Sequence, residues 1–208
     1  MLFNSYVFIF IYLPITLVVF FLLTKLHLTK AATAWLLIVS LVFYSYWDIH
    51  YLPLMLMSIA FNYAIGTAIE RSKPKSKKAK TLLTTGIVLN LTLLAYYKYA
   101  NFLLTSVDAI IGTDWNIPNI ILPLGISFYT FTQTAYLVDA YKGKTLKQNW
   151  ITYGLFVTFF PHLIAGPILH HQEMIPQFNR LRNFVYSHRN MAYGLTLFCL
   201  GLAKKVLI

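Results

Sequence analysis

Uncharged apolar runs alternate with short basic links along this chain. Met1–Thr24 carries no charge, and neither does Ala31–Trp47. Leu52–Ile69, Thr81–Tyr97 (extending toward Leu104), Asn119–Val138 and Asn190–Ala203 continue the pattern. A hydrocarbon core about 30 Å thick needs roughly 20 apolar residues in a helix. The runs therefore predict about six spanning helices in an all-α polytopic membrane protein. Pro14 is expected to kink the first of them, which membrane helices tolerate. Pro53 suits the first turn of the third, where its missing N–H does no harm. Tyr44, Tyr46 and Trp47 close the second run as an interfacial aromatic belt.

One stretch breaks the pattern. FVTFFPHLIAGPILHHQEMIPQF, from Phe156 to Phe178, is apolar but holds three histidines, a glutamate and three prolines. Pro161, Gly166 and Pro167 interrupt any helix there. Irregular backbone at membrane depth persists only when buried in protein or lining a wet cavity. The charge pattern adds a constraint. With the N-terminus outside, the links at Lys25–Lys30, Arg71–Lys80, Lys142–Lys147 and Arg180–Arg189 hold fourteen of the 17 Lys and Arg residues. These fall on the cytoplasmic side, as the positive-inside rule requires, only if Trp150–Gln177 enters and leaves from that side. The stretch is thus expected to be a re-entrant element. Thr105–Pro118, with Asp108, Asp114 and no basic residue, reads as an extracytoplasmic loop.

Composition supports this organisation. The 208 residues are 58% hydrophobic and 11% charged, against about 25% charged in soluble domains. The net charge of +11 is explained by topology, and no basic-aromatic module points to nucleic acid. The run ERSKPKSKKAK (Glu70–Lys80) serves orientation and contact with lipid headgroups. It could also attract a phosphorylated donor. A single cysteine, Cys199, excludes an internal disulfide framework. Its apolar surroundings suggest an inert buried thiol. No repeat or soluble domain is apparent, so residues 1–208 read as one transmembrane domain.

Candidate chemistry is sparse. His170 and Glu173 are three apart, too little for a metal site, and a solvated His170/His171 pair is the simpler reading. No metal is expected. His162 sits in an apolar setting that would keep it neutral and able to accept a proton. No neighbouring group completes a triad, and no GxSxG elbow exists. A hydrogen-bonded structural histidine is the plainer reading. Asn62 and Gly66 fit a helix-packing site. Ser127 and Gln133 belong to a fifth span too polar for a lipid-facing helix. They suggest interhelical bonding or a polar cavity. A transporter would also have broken helices, but no inverted repeat or intramembrane acid supports one.

LPLGISFYTFTQTAYLVDAY (Leu122–Tyr141) followed by TFFPHLIAGPILHHQEMIPQF (Thr158–Phe178) resembles the membrane-bound O-acyltransferase family. The similarity is to its bacterial alginate O-acetylation and D-alanyl transfer branch. FNYAIG (Phe61–Gly66) and FCLGLAKKVLI (Phe198–Ile208) also resemble that branch. The resemblance implies a ring of membrane helices around a funnel, in the bacterial cytoplasmic membrane. An acyl group would pass from a cytoplasmic thioester donor, acetyl-CoA or another, to an exported polysaccharide such as alginate. No bound cofactor is implied. Implied partners are membrane lipids, the donor, and an extracytoplasmic acyltransferase or polysaccharide-export protein. His162, Gly166, Pro167, Ser127 and Gln133 become candidates for the funnel wall. The family's catalytic histidine precedes a glycine in a later segment, and no His-Gly pair occurs here. The resemblance thus implies the front part of a longer domain, inactive alone. A non-catalytic scaffold of an acylation machine is the alternative.

Overall fold

The computed structural model describes residues 2–111, 120–145, 148–163, 166 and 171–207. Among these, all regular structure is helical. The Ser5 hydroxyl accepts from the Phe8 amide at 3.2 Å and opens the first helix. A π-helical stretch, Phe8–Tyr12, leads into α1, Leu13–Lys25. Pro14 lies in the first turn of α1, so the expected irregularity appears as a change of helix type at that junction. After a short link with His27 left-handed (φ 60°), α2 runs over Thr29–Ser45. Two side-chain bonds tie α1 and α2 together as antiparallel neighbours. The Tyr12 hydroxyl donates to the Val39 carbonyl at 2.7 Å, and Trp35 Nε1 donates to Thr16 O at 3.1 Å.

The Asp48 carboxylate accepts from the His50 amide and caps a 3-10 turn over Ile49–Tyr51. α3, Leu52–Glu70, follows with Pro53 in its first turn. A tight link with Lys75 left-handed (φ 56°) leads into α4, Lys77–Ile111. At 35 residues and about 1.5 Å per residue, α4 is about 52 Å long. It outruns a bilayer core, so the fourth element does not end near Leu104. The expected loop at 105–118 is helical through Ile111, while Asp114 and Pro118 lie outside the described residues. α5, Ile126–Tyr141, begins after Gly125, whose φ of 69° suits glycine at that turn. It therefore starts later than Asn119, because Pro123 and Gly125 hold the chain in a turn.

Phe8–Lys25, Ile49–Glu70 and Lys77–Ile111 are long and apolar enough to cross a membrane, and Thr29–Ser45 is a shorter apolar helix. Three short helices follow: α6, Trp150–Thr158; α7, Phe160–Leu163; and α8, His171–Asn179. The last, α9, is His188–Leu207. It lies on the outside of the bundle, with none of its described side chains fully buried. Cys199 on α9 is exposed, contrary to the buried thiol expected. An apolar run on the outside of the bundle gives the same sequence signal as one facing the core.

Packing centres on tyrosines and aliphatic side chains of α2, α3, α5 and α6, including Tyr44, Met55, Tyr129, Tyr136, Tyr153 and Phe156. A second cluster joins Phe8, Tyr12, Val39, Phe43 and Phe160. The antiparallel order gathers the links after α1, α3 and α5 at one end of the molecule. Arg71–Lys80, Lys142 and Lys144 therefore share that end. Phe184 and Tyr186 stack near the end of α1, on Phe20 and Phe21, and place the Arg180–Arg182 segment beside them.

Candidate functional site

The broken stretch starts at this basic end. Asn149 caps α6, its side-chain oxygen accepting from the Thr152 amide at 2.8 Å. α6 stops at Thr158, where Phe159 turns extended (ψ 109°); Pro161, with no N–H, could not bond to the Val157 carbonyl in a continued helix. The Phe160 amide donates to Ser40 Oγ of α2 at 3.3 Å. α7 then reaches the start of α5, where the Leu163 carbonyl lies 3.3 Å from a Cβ built on Gly125. By His171 the chain is back beside Asp139, near the end of α5. Phe178 packs edge-on against Phe159 at 5.5 Å. The described residues on either side of this stretch thus lie at opposite ends of α5, Leu163 by Gly125 and His171 by Asp139.

His162 lies in α7, close to the start of α5, and is only 5% exposed. Its ring lies between Phe128 (5.6 Å between centroids) and Phe159 (5.8 Å). The backbone of Phe156 and Phe159 comes beside it, but neither ring nitrogen reaches hydrogen-bond geometry among the described residues. Burial between two rings and beside that backbone is a structural setting. Gly166 bonds back to this residue, its amide donating to the His162 carbonyl at 3.1 Å. A Cβ at Gly166 would collide with His162, so glycine is required for this approach.

The other candidates separate. Gln133 is buried and pairs with Ser58 of α3, its Nε2 donating to Oγ at 3.1 Å. This bond makes it an interhelical tie. Ser127 is exposed on the first turn of α5. Pro167 and His170 lie outside the described residues. His171 is 2% exposed, which overturns the solvated His170/His171 pair. Its Nδ1 meets Asp139 Oδ2 at 3.2 Å. A carboxylate on one ring nitrogen sets the tautomer and orientation of the imidazole.

Sequence reading missed the setting of this pair. Tyr136 lies one turn before Asp139 and stacks near Tyr153 (4.7 Å) and His171 (5.9 Å). Its hydroxyl lies 3.4 Å from Glu70 Oε1. The signal was the spacing of Tyr136, Asp139 and Ala140 on one helical face. It was obscured because Asp139 opens a segment that reads as a basic link. Among the described residues no group of three His, Cys, Asp or Glu could hold a metal ion. What is assembled is a buried aromatic shell around one oriented His–Asp pair and one packed histidine.

Together the helices and the buried polar hairpin define a multi-pass helical membrane protein. No family profile matches the chain, and no solved structure matches it. Curated proteins do. A peptidoglycan O-acetyltransferase of Helicobacter pylori is 38% identical over all of this chain and 44% of its own length. Probable alginate O-acetylases AlgI of Azotobacter vinelandii and Pseudomonas aeruginosa are each 38% identical over the whole chain, covering 41% and 40% of theirs. The chain belongs with these proteins in the membrane-bound O-acyltransferase family, and it spans less than half the length of the curated relatives it matches.

Proposed function

We propose that this protein serves O-acetylation of an exported cell-surface polysaccharide in the bacterial cytoplasmic membrane. The acyl group would come from a thioester donor, acetyl-CoA or another, on the side of the basic links. The acceptor would lie on the opposite side, reached with an extracytoplasmic acyltransferase or an export protein. The observation that carries this reading is whole-chain similarity to proteins named for acetylating peptidoglycan and alginate. The gathering of basic links at one end supports the assignment of sides. The broken hairpin, with His162 and the His171–Asp139 pair buried in it, is a reasonable wall for the acyl path.

No histidine here is followed by glycine. The 208 residues are accordingly read as a wall and donor-side part of the machine, inactive alone. The same fact favours the second reading, a scaffold that assembles with a separate catalytic protein.

The test uses a strain lacking its own O-acetylase. It compares this chain with a version extended to the length of its relatives, and the readout is base-labile acetate on the purified polysaccharide. Acetate with the extended protein only is the expected result. Acetate with the 208 residues alone would sink the claim of inactivity. No acetate with either, given normal membrane levels, would leave the scaffold reading in place.

A further inference from the structure

At the basic end, an open cleft of about 760 Å³ lies between the last turns of α3 and the start of α4. Its back wall is Tyr63, Ala64 and Ala68, and its rim carries Arg71, Lys73 and Lys78. We propose that this cleft binds a phosphate-bearing amphiphile, with the phosphate on the basic rim and the apolar part on the α3 wall.

Four observations converge. First, three cations line the rim and no acidic side chain does. Glu70, next in sequence, places its carboxylate beside the Tyr136 hydroxyl. Like charges gathered this closely repel one another, and a bound polyanion relieves that repulsion. Second, α4 begins at the cleft. Ser76, which also lines it, accepts from the Ala79 amide at 3.2 Å. The first amides of a helix have no intrahelical partner, and with the macrodipole they favour an anion. Here that preference coincides with a cavity and three cations along its rim.

Third, the link is a tight turn. Lys75 adopts φ 56°, uncommon for a residue with a side chain. The Ser76 amide donates to the Lys73 carbonyl at 3.1 Å across the same turn. Lys73 before this turn and Lys78 after it line the same opening. Fourth, the chemistry changes along the wall. From Tyr63 to Arg71 the α3 face rises about 12 Å and passes from aromatic and alanine surface to guanidinium. The volume lies within the range of about 300–1,000 Å³ usual for small-ligand pockets. A simple anion would leave the apolar wall uncovered, and a neutral lipid would leave the rim uncovered.

Two sources carry this chemistry: an anionic phospholipid of the bilayer, and a phosphorylated acyl donor from the cytoplasm. The phospholipid source is independent of the acyl-transfer reading, whereas the donor source rests on it.

The experiment compares the protein in phosphatidylcholine nanodiscs with two variants. One is Arg71→Ala/Lys73→Ala/Lys78→Ala. The other, Lys25→Ala/Lys142→Ala/Lys144→Ala, removes the same charge from the same end outside the cleft. Retention of added phosphatidylglycerol is read by native mass spectrometry, and binding of acetyl-CoA by calorimetry. Helical content and size-exclusion profile confirm folding of each variant. The expected result is a loss of about tenfold or more in the cleft variant, given the contribution of each basic residue at an anionic surface, with the control near wild type. Loss of phosphatidylglycerol alone assigns a lipid headgroup, and loss of acetyl-CoA alone assigns the donor. Loss of both assigns a general phosphate site. Equal loss in the two variants, or no loss with either probe, overturns the proposal. Undiminished acetyl-CoA binding in the cleft variant would do so for the donor source while leaving acyl transfer itself untouched.

Discussion

At the scale of single residues, charge and contact separate histidines that look alike in sequence. His171 is oriented by Asp139, whose side chain is 16% exposed. Removing one partner of a buried pair costs about 3–5 kcal/mol, because the other charge is stranded. His171→Ala should therefore lower thermal stability in detergent clearly, and His171→Ala/Asp139→Ala should recover part of the loss. Additive losses would mean that the pair is not coupled. His162 touches aromatic rings and makes no hydrogen bond among the described residues. In an active, relative-length protein, His162→Ala should reduce acetylation by less than about a hundredfold, the usual lower bound for a lost general base. Complete loss in a folded variant would give His162 a direct role.

Asp48 offers a titration. Its carboxylate accepts from the His50 amide at 2.9 Å, and His50 Nδ1 lies 2.8 Å away. These bonds, the backbone one foremost, hold its pKa below the ordinary value. A carboxyl with a lowered folded pKa stabilises the fold above its unfolded pKa, about 3.9. That contribution is lost as pH falls through the folded value. Carbon-13 titration should show Asp48 inflecting below the other exposed carboxylates, and Asp48→Ala should soften the acid limb of stability. An ordinary inflection would remove the cap from the account.

At the scale of elements, α3 is the hub that ties α4 and α5. Asn62 and Asn90 exchange amide bonds, at 3.0 Å and 2.7 Å, between α3 and α4. Ser58 and Gln133 join α3 to α5. Gly66 allows Tyr136 to pack on the α3 backbone, since a Cβ there would lie 2.7 Å from the Tyr136 hydroxyl. Hydrogen bonds between membrane helices contribute about 0.6 kcal/mol on average and at most about 1.7. A double-mutant cycle on Asn62→Leu and Asn90→Leu should therefore give a coupling of about 1 kcal/mol. Gly66→Ala should cost more, about 1–3 kcal/mol, through overpacking. A neutral Gly66→Ala would show that Tyr136 shifts without penalty.

At the scale of the whole molecule, the arrangement of ends is the main claim. With Cys199→Ser as background, Lys75→Cys, Lys144→Cys and Asn183→Cys should all react with an impermeant thiol reagent from the cytoplasmic face. Asp48→Cys should react only from the other. Asn183→Cys on the outer face would turn the hairpin into a full crossing and undo the counting that assigned the sides.

The sequence by itself determined the class of protein, because hydrocarbon leaves a chain with uncharged runs of about 20 residues few options other than helices. It also determined that Phe156–Phe178 could not be an ordinary span, because Pro161 and Gly166 interrupt it. Asn62 and Gly66 were legible as packing residues, since small and amide side chains have few other uses on an apolar helix. Tertiary structure alone decided that α4 runs on through Asp108, because Asp108 on a helix leaves no mark that distinguishes it from a loop residue. It decided that His171 contributes a buried ring, and it paired Gln133 with Ser58 across two helices. It also brought Arg71, Lys73 and Lys78 to one cleft. Composition records how many charges a segment holds, but only folding sets which of them meet.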